Sequence, residues 1–291
     1  MVHNWLRLDE ASYELAWWTE GIAEYYSVVL PFRLGMHSEE LTVERFNRKL
    51  EGYYTNPAVR CSNAEIAKGF WTDGHKQRMA YQRYVLYAPD AVLLRRQAVA
   101  DGCSLIRGFV YFAILEASIF LLSKDGCSLE DLMLEMHLRY TNNLPHGLPT
   151  WLDLLVRQLG QEAIDDLQRM MSNGDLLLAT ELFGRDYSLA RVDQEQFYLG
   201  FDERSLNPSS TNSTVEGVDR ASRAFLEGDL REDDIVTLVS SPLWSVEAYD
   251  RNMTLVVKRE VEEEMVDVRL TWWPRRWEKV IGYRYVYTGH G

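Results

Sequence analysis

Two side chains near the start of the sequence are of types that hold metal ions. His3 and Glu20 lie seventeen positions apart, and imidazole and carboxylate are both ligands that zinc accepts in proteins. Taken alone, His3 is typical of a solvated residue near a terminus. Glu20 lies among aromatic residues, where it could pair with a cation such as Arg33 or point to water. The two residues raise a metal-site hypothesis and leave these ordinary alternatives open.

Composition and motifs exclude several other classes of function. The chain has 31 Lys and Arg against 44 Asp and Glu, a net charge of −13, and such an acidic surface repels phosphate backbones, so we expect no nucleic-acid partner. The sequence contains no GxSxG, P-loop or GxGxxG motif. It therefore gives no support to an α/β-hydrolase, nucleoside-triphosphate or dinucleotide site.

The sequence predicts neither a membrane span nor a secreted protein. The longest apolar run, residues 109–122, has 14 residues and includes Glu116, which is short of the ~20 residues that cross a bilayer. We interpret this run as a buried helix. The first residues lack the pattern of a secretory signal, and the three cysteines form no CxxC pair. These features favour a cytoplasmic location.

The elements that would carry the two ligands are helices. Apolar residues recur at spacings of three and four between Tyr13 and Val29, which predicts a helix buried on much of its circumference. Ser128 with Asp131, and Thr150 with Asp153, have the spacing of capping boxes that open further helices. Gly174 is a natural helix stop. Four or five helices would form one bundle.

The character of the chain changes after about residue 180. The stretch 201–218 is polar, and the β-prone runs 235–239, 253–259 and 265–273 follow it. We therefore expect an α+β protein, with a helical domain at 1–180 and a mainly β domain at 181–291.

The run W-x-x-E-G-x-x-x-Y-Y at residues 17–26, which follows H-x-W at 3–5, resembles the gluzincin zinc aminopeptidases, and above all the glycyl aminopeptidase family. The resemblance implies a helical bundle equivalent to the C-terminal half of a thermolysin-like catalytic domain, followed by a small PDZ-like β domain. It makes His3 the second histidine ligand of zinc and Glu20 the third ligand. Family members carry the first histidine and the general-base glutamate in an HExxH motif, of which Met1-Val2-His3 would be only the tail.

This incomplete motif limits the expected chemistry. A catalytic zinc normally has three protein ligands, and the missing glutamate is the group that activates water. We therefore expect the chain as written to be inactive. Two explanations are open: the true start lies upstream, or the chain is a fragment without activity.

A second motif of the family is interrupted. The resemblance expects a tyrosine in a Y-x-[KR]-G element, where its hydroxyl donates to the oxyanion of the reaction. Arg107-Gly108 matches the end of this element, but Leu105 stands at the tyrosine position. Deleting residues 84–107 joins Tyr81-Gln-Arg to Gly108 and restores the pattern, so Tyr81 is the predicted catalytic residue and 84–107 a predicted insertion or translated intron. The alternative is that Tyr81 only packs.

The C-terminal part resembles a PDZ-like domain in the segment 222–238, although Asp233-Asp234 replaces the usual Gly-Asp. A groove for an extended peptide is the functional interpretation, and a domain that only packs is the alternative. Two functions follow for the whole chain. One is a zinc aminopeptidase-like metallopeptidase that acts on a peptide substrate, and the other is a non-catalytic scaffold that binds a peptide ligand.

Overall fold

The computed structural model describes residues 16–56, 58–69, 105–122, 126–176, 178, 182–206, 213–239 and 252–289. These residues divide into two compact units. The helical unit comprises the residues up to Val192 together with those from Tyr283 onward. The β unit comprises Asp193–Gly282.

The helical unit contains seven α-helices in the part of the chain that the structure describes. They are α1 (Ala16–Arg33), α2 (Glu39–Tyr54), α3 (Asn63–Gly69), α4 (Leu105–Leu122), α5 (Leu129–Thr141), α6 (Leu148–Leu159) and α7 (Gln161–Gln168). A π-helical turn, Arg169–Asn173, follows α7 and ends at Gly174, whose φ of 67° is the left-handed conformation of a helix stop. The predicted stop at Gly174 is confirmed.

One of the two predicted capping boxes is confirmed. Ser128 caps α5. Its side chain accepts a hydrogen bond from the backbone N–H of Asp131, and the Asp131 side chain accepts one from the backbone N–H of Ser128. The second capping box is wrong, because α6 begins at Leu148 and Thr150 lies inside its first turn. Pro149 explains the earlier start, since its fixed φ suits the first turn of a helix.

The core of the helical unit lies between α1 and α4, which pack along one another. Trp18, Ile22 and Phe112 are completely buried there, so the prediction that α1 is buried on much of its circumference is confirmed. The last strand also contributes: Asn47 donates to the carbonyl of Tyr285 at 2.9 Å, and the Tyr285 N–H donates to the Asn47 side chain at 2.6 Å.

The β unit is built on an antiparallel sheet in the order β2-β3-β4-β5. Its strands are β2 (Ser213–Thr214), β3 (Ile235–Val239), β4 (Met253–Val261) and β5 (Glu264–Trp272), and a short helix, α8 (Arg223–Leu226), precedes β3. The predicted β-prone runs are confirmed as β3, β4 and β5. Alternate residues of β4, among them Leu255 and Val257, are buried with Trp272 in the core of this unit.

Two long strands, β1 (Tyr187–Phe197) and β6 (Arg275–Tyr287), pair with each other. The chain passes from the helical unit into the β unit within β1 and returns within β6. The observed class is α+β, as predicted. The domain division at residue 180 stays a prediction, as does the insertion at 84–107, of which residues 84–104 lie outside the described part. Each described helix is too short or too polar to cross a bilayer.

Candidate active site

The structure describes the surroundings of the predicted site rather than its functional atoms. His3 and Tyr81 lie outside the described residues. Glu20 lies in the second turn of α1, and its side chain is also outside the described part. Side chains and backbone of α1 and its neighbouring helices fix the position of Glu20.

Aromatic side chains hold the first turns of α1 in the core. The ring of Trp17 meets that of Tyr111 edge to face at 5.0 Å, and the ring of Trp18 meets that of Trp151 in the same way at 5.6 Å. Such contacts add to the free energy of burying the rings. The backbone that carries Glu20 is consequently fixed against α4 and α6.

The helices α1 and α4 touch backbone to backbone at two glycines. A Cβ atom on Gly21 would lie 2.4 Å from the Cα of Gly108, and one on Gly108 would lie 1.9 Å from the carbonyl oxygen of Trp17. No other residue type fits either position without moving a helix. The structure thus brings the Glu20-Gly21 part of one predicted motif next to the Arg107-Gly108 part of the other.

Leu105 is the first residue of α4. It stands three residues before Gly108, where the interrupted motif would have its tyrosine, and an aliphatic side chain cannot donate a hydrogen bond. The first turn of α4 therefore supplies no hydroxyl from this position. A hydroxyl from Tyr81 would have to reach the site from outside α4.

Arg107 is completely buried and anchors the loop between α2 and α3. Its guanidinium donates to the carbonyls of Val59 and Cys61 at 3.0 and 2.6 Å and to the Asn63 side chain at 2.8 Å. Burial lowers the pKa of Arg107 and raises that of the nearby Tyr53 to about 12. This arginine therefore has a positioning role beside the helix crossing.

Glu24, one turn after Glu20, is engaged by a lysine of α2. The Nζ atom of Lys49 lies 2.6 Å from a carboxylate oxygen of Glu24, and both side chains are largely buried. The pair links α1 to α2 next to the predicted ligand. Glu24 is thus a paired carboxylate.

A cluster of charged and phenolic groups lies further along α1. Tyr25 donates a hydrogen bond to Glu116, Tyr26 donates to Glu130 at 3.1 Å, and Arg33 contacts both carboxylates. Arg33 was one of the partners considered for Glu20. Burial, and then the charge of Glu130, raises the pKa of Glu116 to about 7. Sequence reasoning missed this cluster, although Glu116 is the single charge within the apolar run 109–122.

The fit of this site to zinc is incomplete. His3 and Glu20 offer donor types that zinc accepts, but they are two ligands where a catalytic zinc needs three. Among the residues that the structure describes, no three His, Cys, Asp or Glu side chains lie close enough together to hold a metal ion. No reaction step through a metal follows from these residues alone.

The β unit has a well-defined turn in the segment that resembles a PDZ-like pattern. Asp233 has a φ of 68°, a left-handed conformation that suits the glycine of the usual Gly-Asp pair. The next residue, Asp234, is buried and accepts two hydrogen bonds of 2.7 Å from Arg259. Arg259 also donates to the carboxylate and carbonyl of Asp229 at 2.8 and 2.6 Å. The aspartates thus support the turn structurally.

Comparisons with known proteins find two similarities, both to peptidases. Residues 7–92 match the profile of the M61 glycyl aminopeptidase family, a stretch that includes Glu20 and Tyr81. The fold resembles the crystal structure of an aminopeptidase N family protein from Idiomarina loihiensis, with a TM-score of 0.51 and 16% identity over 97% of this chain and 48% of that one. The chain spans about half the length of that structure. No curated protein matches it.

Proposed function

We propose that this chain, a relative of the M61-type aminopeptidases, carries part of a zinc-peptidase active site at the crossing of α1 and α4. The profile match over residues 7–92 is the observation that carries this proposal. The Gly21–Gly108 contact supports it, because it brings the Glu20 backbone beside the second motif.

Each predicted site residue has a separate role in this proposal. The imidazole of His3 and the carboxylate of Glu20 contribute two zinc ligands. The hydroxyl of Tyr81 donates a hydrogen bond to the carbonyl oxygen of the substrate as negative charge develops there. A catalytic zinc of this family also needs a further histidine ligand and a general base, neither of which is among His3, Glu20 and Tyr81. Zinc, when bound in a complete site of this family, supplies Lewis-acid chemistry.

The buried arginine refines the boundaries of the proposed insertion. Residues 83 and 107 are both arginine, so deleting 83–106 gives the same joined sequence as deleting 84–107. Arg107 makes three hydrogen bonds in the core, which favours the boundaries that retain it. We therefore place the end of the insertion at residue 106, so that an intact Arg107-Gly108 pair follows it.

Zinc binding by the purified chain tests the proposal. After dialysis against micromolar zinc, metal analysis should show about one ion per chain, and Glu20→Gln should abolish this binding because it removes a charged ligand. Glu24→Gln is the matched control on the same helix, since it removes the partner of Lys49 and leaves the ligand. Equal zinc content in the chain and in folded Glu20→Gln protein would refute the role of Glu20.

A second candidate function is peptide binding by the β unit. The left-handed conformation of Asp233 and the buried Asp234–Arg259 pair support a PDZ-like turn. We therefore keep peptide binding as the second proposal. Selection of a displayed random peptide library on the full chain without zinc should then enrich sequences with a shared consensus. Enrichment no greater than on an unrelated acidic protein would count against it.

A further inference from the structure

The helical unit exposes a group of large apolar side chains at neighbouring helix ends. The last turn of α4 is exposed, unlike the rest of that helix: Phe120 is 86% exposed, and Leu121 and Leu122 are more than half exposed. This finding corrects the expectation that the whole run 109–122 is buried. The remaining members, which lie on α1, in the turn after it and on α5, are Leu30, Phe32, Leu34, Met36, Leu134 and Leu138. We call these nine residues the helix-end surface.

Arg33 shows that the three helix segments adjoin. It contacts Glu116 of α4 and Glu130 of α5. Phe120 lies one turn after Glu116, and Leu134 lies one turn after Glu130, so each follows its carboxylate on the same side of its helix. Leu30 lies one turn before Arg33 on α1, and Leu34 directly follows it. Exposed apolar residues of all three segments therefore lie within one turn of the Arg33–Glu116–Glu130 group.

The size of the helix-end surface exceeds that of an ordinary apolar patch. The exposed fractions of its nine residues add up to about five whole side chains, on the order of 800 Å² if each presents ~150–200 Å². The largest patch on a typical monomer is ~300–600 Å². A stable interface of standard size buries ~800 Å² on each partner. The surface is thus large enough for one such interface.

We propose that the helix-end surface is the interface between two copies of this chain. A two-fold axis would place the helix-end surface of one copy against the same surface of the other. Each copy would then cover the exposed apolar side chains of its partner. Arg33 contacts both carboxylates that would enter the interface, and this shared cation reduces the cost of removing them from water. The inference does not depend on the proposed active site.

The net charge makes a distinctive prediction about this dimer. Each copy carries −13, so the copies repel each other at low ionic strength while apolar contact draws them together. Salt screens the repulsion. The dimer should therefore tighten as sodium chloride rises from 0.05 to 0.5 M, because the Debye length falls to about a third over this range. An association driven by opposite charges would weaken instead.

Sedimentation velocity of the full chain tests the proposal. Concentrations of about 1 to 100 µM span the micromolar affinities expected of a modest interface. The chain should be a dimer at the upper concentrations, and Leu34→Glu and Phe120→Glu should each weaken the dimer at least tenfold, because each places a charge at the interface. Met265→Glu is the matched control: Met265 is also about half exposed, but it lies on β5. It should leave the dimer unchanged. Circular dichroism confirms that each variant is folded.

Three results would overturn the proposal. The first is a monomeric chain throughout this range at 0.5 M salt (high salt that screens charge repulsion). The second is a dimer that folded Phe120→Glu protein retains. The third is a monomer that binds phosphatidylcholine vesicles and loses this binding in Phe120→Glu, which would assign the surface to lipid instead.

Discussion

Glu116 is an ionisable group held between helices, and its raised pKa of about 7 should make stability depend on pH. Its ordinary value is 4.5, so between these values the folded chain binds more protons than the unfolded chain. The free energy of unfolding should then fall as pH rises from 5 to 8, by at most about 3 kcal/mol. Glu116→Gln should remove this fall, which urea unfolding at both pH values measures.

A control for this prediction lies on α5. Glu135 pairs with Arg139 of the same helix and is more exposed than Glu116, so Glu135→Gln should leave the pH dependence in place. If Glu116→Gln and the unaltered chain lose the same free energy of unfolding between pH 5 and 8, the account of Glu116 is incorrect.

Arg107 offers a second test at the scale of one side chain. Arg107→Met keeps much of the apolar volume but leaves the carbonyls of Val59 and Cys61 and the amide of Asn63 without their donor. Each buried unpaired acceptor costs about 1–3 kcal/mol. We expect a loss of at least about 3 kcal/mol in chemical denaturation. A loss below 1 kcal/mol (less than one such acceptor) would show that water replaces the guanidinium.

Some of these single-residue features were accessible from the sequence. A lone glutamate within an apolar run indicates a carboxylate that must find partners, and the Glu116 cluster meets that need. The identity of the partners was not accessible, because Arg33 lies 83 positions from Glu116 and 97 positions from Glu130 along the chain. Contacts at such separations depend on how helices pack, which local spacing does not encode.

The helix crossing at Gly21 and Gly108 allows a test at the level of elements. Alanine at Gly21 or at Gly108 would place a Cβ 2.4 or 1.9 Å from a backbone atom of the other helix, and backbone cannot swing aside as a side chain does. Gly21→Ala and Gly108→Ala should each destabilise the chain by about 2–4 kcal/mol, measured by chemical denaturation. The double variant should cost less than the sum, since one displacement relieves both clashes.

The control for the crossing is Ser27→Ala, an exposed change on the same helix. It should alter the free energy of unfolding by less than about 0.5 kcal/mol. Additive effects of the two glycine substitutions would indicate two independent contacts rather than one crossing.

The hairpin between β4 and β5 gives another prediction for an element. Its turn residues, Glu262 and Glu263, have φ values of 51° and 67°, which suit asparagine and glycine far better than glutamate. Replacing them by Asn-Gly should raise the free energy of unfolding by about 1 kcal/mol. Thermal denaturation measures the gain, and an unchanged or lower midpoint would contradict it.

Local signals predicted elements well where they were strong and unopposed. The alternation of β5 and the capping box at Ser128 both correspond to the observed elements. The capping box at Thr150 failed because a neighbouring proline favours an earlier start of α6. Boundaries therefore depended on competition between adjacent residues, whereas the existence of each of these elements did not.

For the whole molecule, the net charge of −13 should oppose folding at low ionic strength. Self-repulsion favours the expanded chain, and salt screens it. The thermal midpoint at pH 8 should therefore rise by a few degrees between about 10 and 300 mM sodium chloride. Over this range the screening length falls from about 30 Å to less than about 10 Å. An equally osmotic sorbitol solution serves as the control. A midpoint that falls with salt would show that attractive ion pairs dominate instead.

At this scale the sequence predicted an α+β fold, which is observed, and a resemblance to aminopeptidases, which the profile match over residues 7–92 supports. Within the motif of residues 17–26, Trp17 and Tyr25 are buried and Gly21 meets the backbone of α4, so packing constrains these positions. The predicted roles of His3, Glu20 and Tyr81 stay predictions, since their side-chain atoms lie outside the described residues. The Lys49–Glu24 pair had no local signal, because lysine at 49 is typical of any solvated helix.

The glycine contact between α1 and α4 also bears on how this chain tolerates extra sequence. Because the two backbones meet at Gly21 and Gly108, the alignment of α4 is set by that meeting point and not by the length of chain that leads into it. The segment before Arg107 could therefore change in length or composition without shifting α4 along α1. An engineer could exchange the preceding segment while the glycine contact keeps the two helices in register.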